Sequence, residues 1–133
     1  EACSASQFKK DINIIIGRQI MLPRKSKGLT GHSLAKILGL SQQQISRYER
    51  GISKFDTDTL IIVLMHFNVP LDFFFKKVSL DLKACAPKNY RYYHAVFPSL
   101  LNKEDSGNRY YLIKADGESD YFRLDSHSDK QCY

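Results

Sequence analysis

The sequence GHSLAKILGLSQQQISRYERG, residues 31–51, predicts two short helices joined by a tight turn. Thr30 and Ser41 precede the two helices, and their hydroxyl oxygens are suited to accept a hydrogen bond from the first-turn backbone. Gly39 and Gly51 follow the two helices, and glycine readily adopts the left-handed backbone conformation that ends a helix. Each helix therefore has both a start signal and a stop signal.

The apolar residues of this segment are spaced to lock the two helices at a steep angle. Ala35 is small where the helices must cross closely, and Leu40 fills the corner just after the turn. Ile45 and Tyr48, three residues apart, anchor one face of the second helix, which is predicted over residues 42–50. The opposite face of that helix is consequently left exposed along its length.

Three further helices are predicted around this pair from the spacing of apolar residues. The first spans Phe8–Met21, and Pro23 limits or bends its end, because a proline ring disrupts a helix interior. The fourth spans Asp58–Phe67, and a short fifth helix spans Leu71–Val78. The buried face expected for the fourth helix comprises Leu60, Ile61, Leu64 and Phe67.

The excess of positive charge lies in the first part of the chain. Residues 1–83 carry 13 Lys or Arg against seven Asp or Glu, whereas residues 84–133 carry seven of each. This distribution is expected of a module that meets a polyanion such as nucleic acid. The excess also fits a merely basic surface, so charge alone leaves nucleic acid as one option among several.

The exposed face of the second helix carries side chains whose donors and acceptors match the edges of DNA bases. Gln pairs bidentately with the adenine edge and Arg with the guanine edge. Gln42 and Gln43 lie in the first turn, the part of a recognition helix that enters the major groove. On an isolated helix these residues would be interpreted as solvated surface, but the turn beside them favours DNA reading. The predicted base-reading residues are Gln42, Gln43, Ser46 and Arg47.

This segment resembles the helix-turn-helix of the phage repressor, Cro and xenobiotic-response-element (XRE) type regulators. The similarity in spacing and residue type extends over residues 8–78. In the second and third helices and the residues that flank them, it rests on Leu29, Thr30, Leu34, Ala35, Leu38, Gly39, Leu40, Ser41, Gln44, Ile45, Ser46, Glu49 and Gly51. In the fourth and fifth helices it rests on Leu60, Val63, Leu64, Phe67, Val69 and Pro70.

The resemblance implies a mainly α chain with a five-helix, lambda-repressor-like DNA-binding domain over residues 8–80. Members of the family are bacterial transcription regulators, often repressors, that bind operator DNA and usually act as homodimers. We therefore expect a sequence-specific regulator that reads double-stranded DNA in the major groove with residues 42–50.

The resemblance also implies residues that contact the DNA backbone. Gly31 departs from the family, which often has a phosphate-binding Gln at this first position of the second helix, so that contact is expected to move to His32 or Lys36. Glu49 resembles an acidic residue that structures the end of the recognition helix and is not expected to read bases. The predicted phosphate-binding residues are Ser41, Gln44, Arg50, Lys54, His32 and Lys36.

A narrower similarity covers the 11 residues Ser41–Gly51, which resemble enterobacterial regulators of fimbrial operons. This similarity implies a role in switching between adhesion and motility genes.

Phe73, Phe74 and Phe75 cannot all point into one small core, and two interpretations remain open. In the first interpretation two of the rings are buried and the third is covered by the C-terminal extension. The alternative is a dimer interface, because contiguous exposed apolar surface marks such interfaces.

Residues 81–133 form a C-terminal extension with a β-hairpin predicted within residues 109–124. We expect this extension to support dimerisation or to bind a protein partner. Its tyrosines suit a ligand pocket or base stacking, but packing of a small β element is favoured. These tyrosines are Tyr90, Tyr92, Tyr93, Tyr110, Tyr111 and Tyr121.

Several classes of protein are not predicted. The three cysteines Cys3, Cys85 and Cys132 are scattered, which fits neither a disulfide framework nor a metal site. No nucleophile, phosphate-loop or cofactor motif is present, so neither an enzyme nor a bound cofactor is expected. No apolar run approaches the roughly 20 residues that cross a bilayer. Free thiols in a reducing cytoplasm are the favoured interpretation of the three cysteines, so a cytoplasmic protein is predicted.

A second class of function stays open. A helix-turn-helix domain can also hold a protein partner, and an antitoxin combines both roles by repressing its own operon while its extension covers a toxin. The residues after position 82 provide the length that such a partner-binding segment needs.

Overall fold

The computed structural model describes residues 4–97 in full and the backbone of residues 110–113 and 119–122. The chain divides into two compact units, Glu1–Phe67 and Asn68–Tyr133. The first unit contains α1 (Ala5–Ser26), α2 (Gly31–Leu38), α3 (Gln42–Glu49) and α4 (Thr57–His66). The second contains α5 (Leu71–Cys85), α6 (Pro87–Tyr93), a 3-10 turn at His94–Val96, β1 (Tyr110–Ile113) and β2 (Ser119–Phe122). The predicted mainly α fold class is confirmed.

The first helix continues through Pro23 to Ser26, so the prediction that it ends at Met21 is wrong. A proline removes only its own N–H from the hydrogen-bond ladder, and here it lies in the last turns, where little of the helix remains to be disrupted. The carbonyl of Pro23 still accepts a hydrogen bond from the N–H of Lys27 at 3.0 Å. At the other end, the Ser4 hydroxyl accepts from the N–H of Gln7 at 3.1 Å and starts the helix before Phe8.

The predicted starts of α2 and α3 are confirmed. The Thr30 hydroxyl accepts from the N–H of Ser33 at 3.0 Å, and the Ser41 hydroxyl accepts from the N–H of Gln44 at 3.1 Å. Gly39 ends α2 in the left-handed conformation, with φ of 66°. Two helices of eight residues each are thus joined by a turn of three residues.

The core of the first unit is apolar and draws on all four helices. On α4 the side chain of Ile61 is 51% exposed and Val63 is fully buried, so the prediction that Ile61 is buried is wrong. Ile61 follows Leu60 by one residue, which turns it about 100° away from the core side of the helix. The buried hydrophobic residues are Ile15, Ile20, Leu34, Ala35, Ile45, Tyr48, Leu60, Val63, Leu64 and Phe67.

α1 approaches the end of α3 so closely that two glycines are required. A Cβ atom at Gly17 would lie 2.3 Å from the carbonyl oxygen of Tyr48. A Cβ atom at Gly51 would lie 2.6 Å from the Cα atom of Ile14, and Gly51 also has a positive φ of 72°. Both obstacles are backbone atoms, so they cannot move aside as a flexible side chain would.

A charged pair fastens the same helix end to α1. The guanidinium of Arg24 donates to both carboxylate oxygens of Glu49, and the side chains are only 10% and 9% exposed. Arg24 also donates to the backbone carbonyl of Leu29 at 2.6 Å. One buried side chain therefore connects α1, the loop before α2, and the C-terminal end of α3.

In the second unit, α5 continues to Cys85, so the prediction that the fifth helix ends at Val78 is wrong. Val78 and Leu82 are fully buried and four residues apart, so the apolar face of the helix extends beyond the predicted end. The buried hydroxyl of Ser79 is satisfied within the helix, because it donates to the carbonyl of Phe75 at 2.8 Å.

β1 and β2 pair antiparallel, with Tyr110 opposite Phe122 and Ile113 opposite Ser119. They lie in the part of the chain for which the sequence predicts a hairpin. Residues 1–3, 98–109, 114–118 and 123–133 lie outside the described residues.

Among the described helices, none alone has the length and apolar character needed to cross a membrane. α4 and α5 reach that length and composition only when they are combined across the break between them.

Candidate nucleic-acid interface

One side of α3 is held firmly by the first unit. Ile45 and Tyr48 are 1% and 6% exposed, as their spacing predicts. The ring of Tyr48 stacks on that of Phe55, with 4.4 Å between centroids and 16° between the planes. α3 is therefore anchored both by the helices beneath it and by the loop that follows it.

The other side of α3 faces outward and carries the four residues predicted to read bases. Gln42, Gln43 and Arg47 are exposed and Ser46 is half-buried. Residues three or four apart on a helix share a face, so these four side chains form one surface, here called the outward face of α3. The structure brings the four residues together, and base reading by them stays a prediction.

The residues predicted to contact phosphates have different surroundings. His32 and Lys36 on α2 and Lys54 after α3 are exposed, so their polar groups are accessible. The Ser41 hydroxyl accepts a backbone hydrogen bond but can still donate its own proton. Arg50 donates from Nε to the carbonyl of Ser46 at 3.3 Å, which leaves its terminal nitrogens to other partners.

Gln44 is half-buried, and its backbone N–H is used by the cap of Ser41. Any phosphate contact of Gln44 would therefore be made by its side-chain amide. The N–H groups of the first turn have no acceptor within a helix, so the start of α3 also favours an anion.

Gly31 lies against the first turn of α3. A Cβ atom at this position would be 3.8 Å from Cγ of Gln42 and 4.0 Å from Cγ2 of Ile45, both ordinary contact distances. The N-terminus of α2 is thus adjacent to the outward face of α3. Position 31, where this chain departs from the family, therefore has room for a side chain, although glycine provides none.

Sequence reasoning missed a residue that contacts the outward face. Arg47 donates from Nε to the hydroxyl of Ser53 at 3.1 Å. Ser53 lies in the loop after Gly51, and no helical periodicity reaches it. The signal that could have identified Ser53 is Gly51, because a left-handed glycine at a helix end folds the following residues back along the helix.

Arg24 was also missed, although it fixes the end of α3 through Glu49. The resemblance assigned Glu49 a structural role, and the structure supplies the partner that this role requires. Arg24 lies 25 residues away from Glu49, beyond the end predicted for the first helix at Met21.

The predicted dimer-interface residues lie in the second unit. Phe73 and Phe74 are buried, at 4% and 2% exposure, whereas Phe75 is half-buried. Of these three, only Phe75 retains appreciable surface that a second molecule could contact. The dimer-interface interpretation stays a prediction, and it now depends mainly on Phe75.

Within the part of the chain that the structure describes, no group of three or more His, Cys, Asp or Glu residues is arranged to hold a metal ion.

Comparison with known proteins places this geometry in a family. The helix-turn-helix family model matches residues 24–74. An uncharacterized HTH-type transcriptional regulator of Sinorhizobium medicae is 35% identical over 70 residues, which are 53% of this chain and 50% of that protein. An uncharacterized transcriptional regulator in the ATPase CF(0) region of Rhodospirillum rubrum is 33% identical over 74 residues, 56% of this chain and 65% of that protein.

The antitoxin PezA of Streptococcus pneumoniae is also similar, with 40% identity over 55 residues, 41% of this chain and 35% of the antitoxin. The chain spans about half the length of the regulators that it matches first. The matched segment begins at Arg24 and includes α2, the turn at Gly39, α3 and α4. Residues 24–74 therefore belong to the helix-turn-helix family, in its phage repressor, Cro and XRE type.

Proposed function

We propose that this protein is a sequence-specific DNA-binding transcriptional regulator that inserts α3 into the major groove. The proposal is carried by the outward face of α3, where Gln42, Gln43 and Arg47 are exposed on a helix whose other side is buried. A major groove about 12 Å wide admits one α-helix, and Gln and Arg suit its adenine and guanine edges. The relatives named as transcriptional regulators support the same role.

Selection from random-sequence DNA by the purified protein tests this proposal. Enrichment of a defined motif is the expected result. A protein that recovers no motif, while binding random duplexes with ordinary salt dependence, would not be a sequence-specific regulator.

The protein is further proposed to bind as a homodimer. α3 has eight residues and is about 12 Å long, so one copy can read only a few base pairs. A site of that size recurs too often in a genome to be specific. Two copies would read half-sites about 34 Å apart, and the selected motif should then be palindromic. A single short motif, together with a monomer in sedimentation, would contradict this part of the proposal.

Replacing Arg47 with Ala is expected to cost about 1–3 kcal/mol of binding to the selected site and to relax the preference at one base position. The reason is the loss of a bidentate donor from an exposed position on α3. Competition binding against the four base-pair variants at each position measures this effect. If selected and random DNA lose affinity equally, Arg47 does not read a base.

Replacing Lys54 with Ala is the matched control for a charge outside the outward face of α3. Lys54 is exposed beyond the end of the helix, so we expect affinity for all sequences to fall alike. Loss of one phosphate contact should also reduce the slope of log K against log salt by about 1. A change in base preference with an unchanged salt slope would remove Lys54 from the phosphate-binding set.

A second candidate function is favoured by one observation, the 40% identity to an antitoxin over 55 residues. In this alternative the helix-turn-helix acts beside a partner-binding segment within residues 81–133. A neighbouring toxin gene, and rescue of growth when that toxin and this chain are expressed together, would support it. Absence of both would leave the regulator as the better proposal.

The similarity of Ser41–Gly51 to fimbrial regulators narrows the proposal to adhesion and motility genes. The selected motif tests this directly, because it should then occur upstream of such genes.

A further inference from the structure

Arg47 and Ser53 are joined through both backbone and side chain. The carbonyl of Arg47 accepts from the N–H of Ile52 at 2.9 Å and from the N–H of Ser53 at 3.2 Å. The hydroxyl of Ser53 accepts from Nε of Arg47 at 3.1 Å. Gly51, with φ of 72°, makes the left-handed turn that folds the chain back in this way.

The hydrogen bond at Nε limits how the guanidinium can bind a base. A guanidinium is planar and has two bidentate edges, one formed by Nε with an Nη group and the other by the two Nη groups. In Arg47 the Nε donor is used by Ser53, so the edge formed by the two Nη groups is the one left for a ligand. The same bond restrains a long side chain before DNA arrives, which reduces the entropy lost on binding.

We infer that Ser53 is a positioning residue that determines specificity, because it holds Arg47 so that both Nη groups face the O6 and N7 acceptors of a guanine. This inference rests on the proposed function. Ser53 acts through Arg47 and does not itself read a base.

The hydrogen bond between Nε of Arg47 and the hydroxyl of Ser53 can be removed without changing the backbone contacts of Ser53. Replacing Ser53 with Ala deletes the hydroxyl but keeps the backbone N–H that binds the carbonyl of Arg47. The loop should therefore keep its course, and only the contact at Nε is lost. Replacing Ser53 with Thr keeps a hydroxyl at the same position and is the conservative control.

Competition binding with the selected duplex, and with its three base-pair variants at the position that Arg47 reads, tests the inference. The Ser53→Ala protein should discriminate guanine about two- to tenfold less well, the range expected for one hydrogen bond. The Ser53→Thr protein should retain the discrimination of the unaltered protein. Affinity for random duplexes and the urea midpoint should stay unchanged in both.

The loss of guanine discrimination in Ser53→Ala must also depend on the presence of Arg47. In an Arg47→Ala background, the further change Ser53→Ala should leave base preference as it is. Equal losses at all four base pairs would instead identify Ser53 as a backbone contact and overturn the inference.

Unchanged preference in Ser53→Ala, beside a relaxed preference in Arg47→Ala, would overturn the inference while leaving the proposed function intact. If the unaltered protein shows no base preference at all, both fail together.

Discussion

Replacing Arg24 with Ala should lower the free energy of unfolding by about 3–5 kcal/mol, the range measured when one partner of a buried ion pair is removed. The carboxylate of Glu49 would then lie at 9% side-chain exposure without its countercharge, and the carbonyl of Leu29 would lose a donor. Urea unfolding followed by helical circular dichroism measures the change.

The neighbouring Lys25 provides the matched control for this variant. It is a basic residue of the same helix, but it is exposed, so Lys25→Ala should change stability by no more than about 0.5 kcal/mol. The double variant Arg24→Ala/Glu49→Ala should lose less than the two single losses together, because no buried charge is left alone. A loss in Arg24→Ala no larger than that in Lys25→Ala would show that the pair contributes little.

Replacing Gly51 with Ala should cost about 2–5 kcal/mol, because two penalties combine at this position. A side chain in the left-handed conformation costs roughly 1–2 kcal/mol. Its Cβ atom would also lie 2.6 and 2.7 Å from the Cα and N atoms of Ile14, and forced overpacking typically costs about 1–3 kcal/mol. The urea midpoint of Gly51→Ala, compared with that of the unaltered protein, measures this loss of stability.

Gly28 separates the two penalties. Its φ of 71° matches the 72° of Gly51, but a Cβ atom there meets no heavy atom within 4 Å. Gly28→Ala should therefore show the backbone penalty alone. Equal losses in the two variants would mean that the close approach of α1 to the end of α3 does not constrain position 51.

Both predictions concern the geometry of the candidate interface as well as stability. Arg24 and Gly51 act at the C-terminal end of α3, the same end from which Ser53 reaches back to Arg47. A loosened helix end would consequently disturb the outward face even where the chain still folds. For this reason the DNA-binding variants are better made at Arg47, Lys54 and Ser53, which lie outside the buried contacts of α1.

The segment from Thr30 to Gly51 was predictable because its signals are local. A hydroxyl before each helix and a glycine after it act over three or four residues, and both caps are present as expected. The outward face of α3 follows from the same local pattern, since burial of Ile45 and Tyr48 determines which side chains remain outside.

The sequence predictions were wrong where the residue pattern along the chain did not determine a helix end or a buried face. Pro23 is a helix breaker by its residue type, yet a proline near a helix end removes only one hydrogen bond. Ile61 is as apolar as its neighbours, and only the rotation of α4 against the core distinguishes it from Val63. α5 continues to Cys85 because burial of Val78 and Leu82 favours the longer helix.

The sequence by itself determined the two capped helices, the turn between them and the polar side chains available on α3. The tertiary structure decided which distant residues hold α3 in place, namely Gly17, Arg24 and Phe55, and which neighbour restrains Arg47. The physical reason is the range of the interactions. Caps and helical faces are set by neighbours along the chain, whereas close backbone approach and a buried ion pair exist only after separate segments have packed together.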